Sequence, residues 1–381
     1  MSGISAPRRI SFDILLRVAS GAWASELLRA AAAPLDSRDA GLAEEIVFGV
    51  LRYQGQLDHL IQAATGKPVK RLDIEVVIAL RMGLYQSLYL DRIPAHASVT
   101  ESVKLVKRAR KSSATGLVNA VLRKADSLER TWPDEPARLS VPAWLLEKWH
   151  AQYGAERAQG IAAAYLKPPQ AFVRCLDPPA ANMEETEVPG CYRLLSKSSG
   201  ALRRQDISSQ WVVTLLDLQP DHLFLDLCAA PGNKTAQALE SGVRAIACDL
   251  HVKRLAALSG LRCDRVALDA TKPLPFRQKF DRILADVPCS GTGTLARNPE
   301  IKWRLEPGDL AQFHEKQAAI LRRARECLAP GGLLVYSTCS LEKEENEAVV
   351  WEVAGPDARL YRRLPGVDAG DGFFAAMIRS E

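Results

Sequence analysis

The sequence predicts a multidomain protein: an all-helical front, a small mixed α/β module, and a doubly wound α/β body with a Rossmann-like parallel sheet. Three observations predict it. Residues 8–130 repeat apolar side chains at spacings of three and four. From residue 206 onward, short apolar runs alternate with helical patterns. Several of those runs end in Gly- and Pro-bearing turns. A period near 3.6 marks helices with one buried face, whereas near-continuous apolar runs of strand length mark strands covered on both faces. The alternating order implies parallel strands joined by helical crossovers.

The front comes first. Phe12, Leu15, Leu16 and Val18 fall on one helical face, as do Leu42, Ile46, Val47, Val50 and Leu51. Residues 1–130 hold 19 Lys and Arg against 13 Asp and Glu, although the whole chain carries a net charge of only +5. Within 99–124, Lys104, Lys107, Arg108, Arg110 and Lys111 crowd into eight residues, and Arg123 and Lys124 close the next helical segment. Such a face is either solvated or laid against the phosphates of a nucleic acid. The front is assigned to 1–132. Three prolines between Trp132 and Pro142 then mark a linker. The small α/β module, 140–205, is expected to open with one helix over Trp144 to Tyr165, followed by a short strand over Ala171 to Cys175.

The body occupies 206–381. Its candidate strands are Leu223–Leu227, Ala245–Cys248, Arg265–Leu268, Arg282–Asp286, Leu333–Ser337 and Phe373–Ile378. The first runs into Cys228, Ala229, Ala230, Pro231, Gly232, Asn233 and Lys234. A strand, a Gly/Pro turn and a helix bring backbone N–H groups to the carboxyl edge of the sheet, where ligands of open α/β folds bind. Asp249 closes the second strand, 23 residues after Asp226. That spacing suits a carboxylate accepting from ribose hydroxyls. Asp269 follows the third strand at the same edge, beside where an adenine amino group would lie. Neither GxxxxGK[ST] nor GxGxxG is present. A ligand with a ribose and an amino-acid tail but no phosphate, such as S-adenosylmethionine, fits better than a nucleotide.

Strands four and five each lead to a cysteine. The fourth continues as Asp286-Val-Pro-Cys289-Ser-Gly-Thr-Gly, and the fifth as Thr338-Cys339-Ser340. If the two strands are parallel neighbours, both thiols emerge beside the cofactor. A lone cysteine is usually a packing residue, but these two sit among Gly, Ser, Thr and Pro at a loop edge. Two such thiols suit methylation of cytosine carbon 5, a poor nucleophile. A thiolate adding to C6 makes C5 enamine-like and able to attack an electrophilic methyl group. Asp286 could hydrogen-bond N3 of the base, and the second thiol could assist release. The target would have to be unpaired or flipped out of its stack. No CxxC pair points to zinc, and no metal is expected. The chain has no apolar run of membrane-spanning length and no secretory leader, so a cytoplasmic location is expected, with a monomer as the default.

The segments DLCAAPGNKT (226–235), ADVPCSGTG (285–293), RNPEIKW (297–303), YSTCSLEKEEN (336–346) and GDGFF (370–374) resemble the Sun-type, or RsmB-like, RNA cytosine-5 methyltransferases. IPAHASVTESVKLVKR (93–108) and GLVNAVLRK (116–124) resemble the NusB-like RNA-binding domain carried by bacterial members, and QDISSQ (205–210) resembles the entry to their catalytic domain. The resemblance implies that Cys228 to Lys234 hold S-adenosylmethionine, with Asp249 on the ribose and Asp269 near the adenine. It implies Asp286 between cofactor and base, Cys339 as nucleophile and Cys289 in product release. The implied substrate is a cytosine of small-subunit (16S) ribosomal RNA. The chain departs from the family at Asn233, where a second Gly is usual, and at Leu176, where an Asn usually follows two residues after the arginine (here Arg174). Alternatives are a tRNA substrate, attack by Cys289 as in DNA cytosine methyltransferases, and a non-catalytic RNA-binding or ribosome-assembly factor.

Overall fold

The computed structural model describes residues 3–177, 180–196 and 202–380. It divides into two compact units. One comprises Met1–Pro168 with Leu295–Arg304, the other Pro169–Thr294 with Leu305–Glu381.

The first unit is helical, as its periodicity predicts. It contains α1 (Ala6–Ala19), α2 (Ala24–Ala32), α3 (Ser37–Arg52), α4 (Gln54–Thr65), α5 (Ile74–Tyr89), α6 (Ala95–Arg108), α7 (Thr115–Arg123), α8 (Glu135–Leu139), α9 (Ala143–Tyr153) and α10 (Ala155–Ala164). Asp36 starts α3 by accepting from the amides of Arg38 and Asp39, which satisfies donors that a helix start leaves free. α5 is apolar nearly all round and runs through the middle of the unit. Its Val76, Ile78, Ala79, Leu80 and Met82 are buried against Phe12, Leu15, Ile46, Val47 and Leu105. Gly49 lets α3 approach α5, because a Cβ there would meet the Tyr85 ring at 1.9 Å. The single helix expected over Trp144 to Tyr165 is two. Gly154, at φ +81°, breaks it into α9 and α10, a conformation open to glycine at little cost.

The second unit begins with a small sheet of β1 (Phe172–Arg174), β2 (Met183–Glu185), β3 (Cys191–Leu194) and β4 (Arg203–Arg204), in the order β2-β3-β1-β4. Arg174 closes it onto the larger body through an ion pair with Glu240 at 2.5 Å. Then follow α11 (Ile207–Thr214), β5 (Leu223–Asp226), α12 (Asn233–Leu239), β6 (Arg244–Asp249), α13 (Val252–Leu255), β7 (Asp264–Ala267) and β8 (Phe280–Asp286). At Leu295 the chain passes into the helical unit, where it forms the short α14 (Ile301–Arg304). It returns as α15 (Asp309–Glu326), β9 (Leu328–Thr338), α16 (Glu347–Ala354), β10 (Arg359–Arg363) and β11 (Phe373–Arg379).

The large sheet has the order β10-β11-β9-β8-β5-β6-β7. Its five strands from β9 to β7 are parallel, as predicted. The sheet as a whole is mixed, because β11 runs antiparallel to both β9 and β10. β10 is a strand that the sequence does not announce. Its residues, RLYRR, form no apolar run because an edge strand buries little. β9 starts five residues before the expected Leu333, with a register irregularity opposite Phe280 and Arg282. The two faces of the sheet pack separately. Leu225, Ile283, Leu334 and Tyr336 join α15 and α16 on one side, and Phe224, Leu284, Val335 and Ala375 join α11 on the other.

Among the described residues, no helix is long and apolar enough to cross a membrane. No cluster of His, Cys, Asp or Glu among them could hold a metal ion.

Candidate active site

β5, β6, β7, β8 and β9 all deliver residues to one edge of the sheet, because parallel strands end on the same side. β8 and β9 are neighbours, with Asp286 opposite Ser337. The chain beyond each keeps that pairing for a step, as the Val287 amide donates to the Ser337 carbonyl at 3.0 Å. Cys289 and Cys339 therefore emerge side by side. Their Sγ atoms are 3.3 Å apart and share a hydrogen bond. That bond, with burial second, pushes the Cys289 thiol well above its ordinary value.

The two cysteine loops are tied by a residue that sequence reasoning does not single out. Glu345, fully buried, accepts from the Ser290 amide at 2.8 Å and from the Ser290 and Ser340 hydroxyls. Gln317 donates to it at 2.9 Å and to the Pro288 carbonyl at 3.0 Å. Ser290 and Ser340 are each the residue after a cysteine, so one carboxylate sets both thiols. The available signal is its place in YSTCSLEKEEN, yet a lone Glu in a charged run carries no mark of burial. On the other side, the Gly293 amide donates to the Cys339 carbonyl at 2.8 Å. A Cβ on Gly293 would meet that carbonyl at 2.8 Å and the Gly372 carbonyl at 2.2 Å. Only glycine fits there.

Lys234, on the first turn of α12, reaches across to Asp286. Its Nζ donates to Oδ2 at 2.7 Å, while Ser337 donates to Oδ1 at 2.7 Å. Burial alone would lower the Lys234 ammonium. The charge and hydrogen bond of Asp286 outweigh it, Cys339 adds in the same direction, and the net shift is upward. A positive charge is thereby held at the cysteine edge.

The cofactor edge is acidic. Asp226, also outside the residues that sequence reasoning assigns to the site, is buried at the end of β5. Its Oδ2 accepts from Thr235 at 2.7 Å and its Oδ1 has no partner. Burial is the main reason its pKa is pushed up to about 7, with the Thr235 bond opposing. Asp249 and Asp269 lie at the expected strand ends. Asp249 takes the His251 amide at 2.9 Å and faces Arg254 at 3.4 Å. Asp269 takes the Thr271 amide and hydroxyl, which lower its pKa. The positive φ of the loop falls on Gly232 (φ +104°), where a Cβ would meet the Leu258 side chain at 2.6 Å. Asn233 is the first residue of α12 and needs no unusual backbone angle. The departure from the usual Gly is therefore accommodated by ordinary helical geometry. Carboxylates at successive strand ends, a buried carboxylate oxygen with no partner and a glycine cradle fit a ligand with ribose hydroxyls, an ammonium and a sulfonium. That is the chemistry of S-adenosylmethionine.

The basic cluster in the helical unit divides in two. Arg108 is paired with Asp13 at 2.7 Å, and Lys111 with Asp73 at 3.0 Å. Lys104 and Lys107 line a groove of about 510 Å³ between α6 and α7, with His96, Asn119 and Arg123. Arg110 is exposed at φ +61° after α6.

Comparisons with known proteins give the family. The family model for 16S rRNA methyltransferase RsmB/F matches residues 213–360, and that for the NusB family matches residues 5–127. The ribosomal RNA small subunit methyltransferase B of Salmonella arizonae is 33% identical over 390 residues, 90% of each chain. The crystal structure of PH0851 superposes with a TM-score of 0.81 over 100% of this chain and 99% of that one, at 21% identity. A methyltransferase homolog protein from Pyrococcus horikoshii covers 65% of this chain and 97% of its own, with a TM-score of 0.54 and 26% identity. The chain thus belongs to the RsmB/F family of S-adenosylmethionine-dependent ribosomal RNA methyltransferases, with a NusB domain at its front.

Proposed function

We propose that the protein methylates carbon 5 of a cytosine in small-subunit ribosomal RNA, with Cys339 as nucleophile and Cys289 as the group that releases the product. The pair of thiols 3.3 Å apart at the ends of β8 and β9 carries this reading. Methylation at a nitrogen or a hydroxyl needs no such pair, whereas carbon 5 must be activated through C6.

The surroundings of the two thiols support the two roles. Cys289 is held as a thiol by its bond to Cys339 and by burial. Cys339 acts as a thiolate in the attack, and Lys234, paired with Asp286 at 2.7 Å, holds a positive charge at the cysteine edge. Cys339 sulfur bonds to C6, and the ring electron pair moves to C5. S-adenosylmethionine supplies the electrophilic methyl group that C5 takes. Once Cys339 is a thioether, the main cause of the raised Cys289 pKa is gone. Cys289 then loses its proton to solvent and accepts the one on C5. The C6–S bond breaks, and Cys339 leaves as thiolate. The carbon–sulfur bond made is the one broken, and one C5 proton is exchanged for a methyl group.

Cys228 to Lys234 would hold the cofactor with Asp226, Asp249 and Asp269. Asp286 would serve the space between cofactor and base, once one of its oxygens is freed from Lys234 or Ser337. Lys104 and Lys107 would hold RNA phosphates in the helical unit, together with the exposed Arg110, and the protein would act on RNA in the cytoplasm as a monomer. Arg108 and Lys111, expected on the same RNA face, are engaged with acids of their own unit. The small sheet at 172–204 would add a further surface for RNA.

The test is mass spectrometry of nucleosides from small-subunit rRNA of cells lacking the protein, treated with the purified enzyme and S-adenosylmethionine. A gain of 5-methylcytidine is the expected result. A methyl group found on another nucleoside, or on a ring nitrogen or ribose oxygen, contradicts the reading.

A further inference from the structure

Gln317, Glu345 and Asn346 take no part in the steps above, yet together they hold the residue on each side of each cysteine. All three are buried. At Cys289, Gln317 donates to the carbonyl of the preceding Pro288 at 3.0 Å. Glu345 takes the amide of the following Ser290 at 2.8 Å, and its hydroxyl as well. At Cys339, the hydroxyl of the preceding Thr338 donates to Asn346 Oδ1 at 2.5 Å. Asn346 Nδ2 in turn donates to the carbonyl of the following Ser340 at 2.9 Å. The two brackets are joined, because Glu345 also accepts from the Ser340 hydroxyl. The platform is itself fixed. Tyr336, buried on β9, donates to the Glu345 carbonyl at 2.6 Å, and Gln317 stands on α15. The Asn346 carbonyl accepts from the Val350 amide of α16 at 3.2 Å.

Packing alone does not call for such a set. The donors to the Glu345 carboxylate are an amide, two hydroxyls and the Gln317 side chain, all neutral. A buried carboxylate met only by neutral donors is costly, and an apolar side chain would fill the space without that cost. What the carboxylate adds is charge-assisted hydrogen bonds, the shorter and stronger kind, between two loops that follow different strands. Reacting groups displaced by about an ångström lose much of their rate, so a rigid tie between the loops has its use here. Asn346 uses an acceptor and a donor on the two flanks of one residue, a combination that an amide side chain supplies. The Glu345 charge is also among the causes that keep Cys289 a thiol.

We propose that Asn346 is a positioning residue for attack by Cys339, and that Gln317 with Glu345 positions Cys289 for release. The two chemical steps then depend on different side chains that act only through the cysteine loops. This rests on the cysteine roles proposed above.

The experiment compares wild type, Cys289→Ala, Gln317→Met, Asn346→Asp and the Cys289→Ala, Asn346→Asp double variant. Each is incubated with small-subunit rRNA and S-adenosylmethionine, with kcat and KM from methyl transfer and the adduct from a denaturing gel. Gln317→Met keeps the volume and removes the donor to Pro288 and Glu345. It is expected to accumulate the covalent RNA adduct as Cys289→Ala does. Asn346→Asp keeps the shape and the acceptor for Thr338 but loses the donor to Ser340. It is expected to show no adduct, and in the double variant to slow adduct formation. Both kcat values should fall about tenfold, the scale of one missing positioning hydrogen bond, with KM for RNA and cofactor affinity unchanged. If Cys289→Ala accumulates adduct and Gln317→Met does not, the release side is wrong while the cysteine roles stand. If the double variant forms adduct as fast as Cys289→Ala, the attack side is wrong. Losses of RNA affinity in place of kcat overturn both. If Cys289→Ala itself forms no adduct, the cysteine roles fall, and this inference with them. Should either variant not fold, Ser290→Ala on the release side and Thr338→Val on the attack side each remove one hydroxyl from the same network and decide in its place.

Discussion

Single residues carry most of the proposed chemistry, and they differ in how plainly they show themselves. Cys289, Cys339, Asp286 and Lys234 stand in motifs, and the sequence places all four at one edge. Glu345 and Asp226 stand in the same motifs and escape a sequence reading, because burial is what gives each its role and burial is a property of the fold. Asn233 illustrates the reverse. A departure that looks costly in the sequence lies on an ordinary helical turn, while Gly232 beside it takes φ +104°. Asn233→Gly should therefore leave affinity for S-adenosylmethionine within about twofold, whereas Gly232→Ala, strained at φ > 0 and against Leu258, should weaken it by about tenfold or more. Isothermal calorimetry checks both. Equal losses for the two variants contradict this account of the loop.

At the scale of elements, the parallel core was legible and the edges were not. The strands β5, β6, β8 and β9 have the apolar runs that burial on both faces demands. β10 reads as polar because it lies at the edge, and the antiparallel β11 is indistinguishable by composition from its parallel neighbours. Gly154 is visible in the sequence, but its backbone angle is not, so one helix is expected where two exist. The basic cluster shows the same limit. Five cations in eight residues look alike until the fold sets Arg108 and Lys111 on acids and Lys104 and Lys107 along a groove. Lys104→Glu with Lys107→Glu should weaken RNA binding and flatten its dependence on salt, since the slope scales with the number of phosphates that the protein neutralises. Reversing Arg108 and Lys111 should chiefly lower the melting temperature, by breaking the pairs with Asp13 and Asp73. Filter binding across a salt series and a thermal melt separate the two effects, and a uniform effect of all four residues contradicts the division.

For the molecule as a whole, the domain types were recognisable and the path of the chain was not. Nothing in RNPEIKW says that residues from the catalytic half of the sequence belong to the helical unit. Lys302, 1% exposed with its Nζ on the Arg52 carbonyl at 2.9 Å, gives a way to observe that packing apart from activity. Burial, helped by the Arg52 charge, pushes its pKa down to about 7, against 10.5 for the free side chain. Between these values the unfolded chain binds the proton and the folded chain does not, so stability rises with pH. Below pH 7 both states are protonated, and this group adds no slope. Its contribution approaches about 1.4 kcal/mol per pH unit in the middle of the window. Denaturant melts between about pH 7 and pH 10 should show the rise, and Lys302→Met should remove it. A wild-type curve that is flat or falling there contradicts a neutral, buried Lys302.

The roles proposed for Cys339 and Cys289 divide attack and release between two neighbouring thiols. The most direct measurement is the covalent adduct on a denaturing gel, for Cys289→Ala, Cys339→Ala and the double variant, with small-subunit rRNA and S-adenosylmethionine. The expected result is a shifted, protease-sensitive RNA band for Cys289→Ala and none for Cys339→Ala or the double variant. A band that appears with Cys339→Ala and is absent with Cys289→Ala would reverse the roles and contradict it.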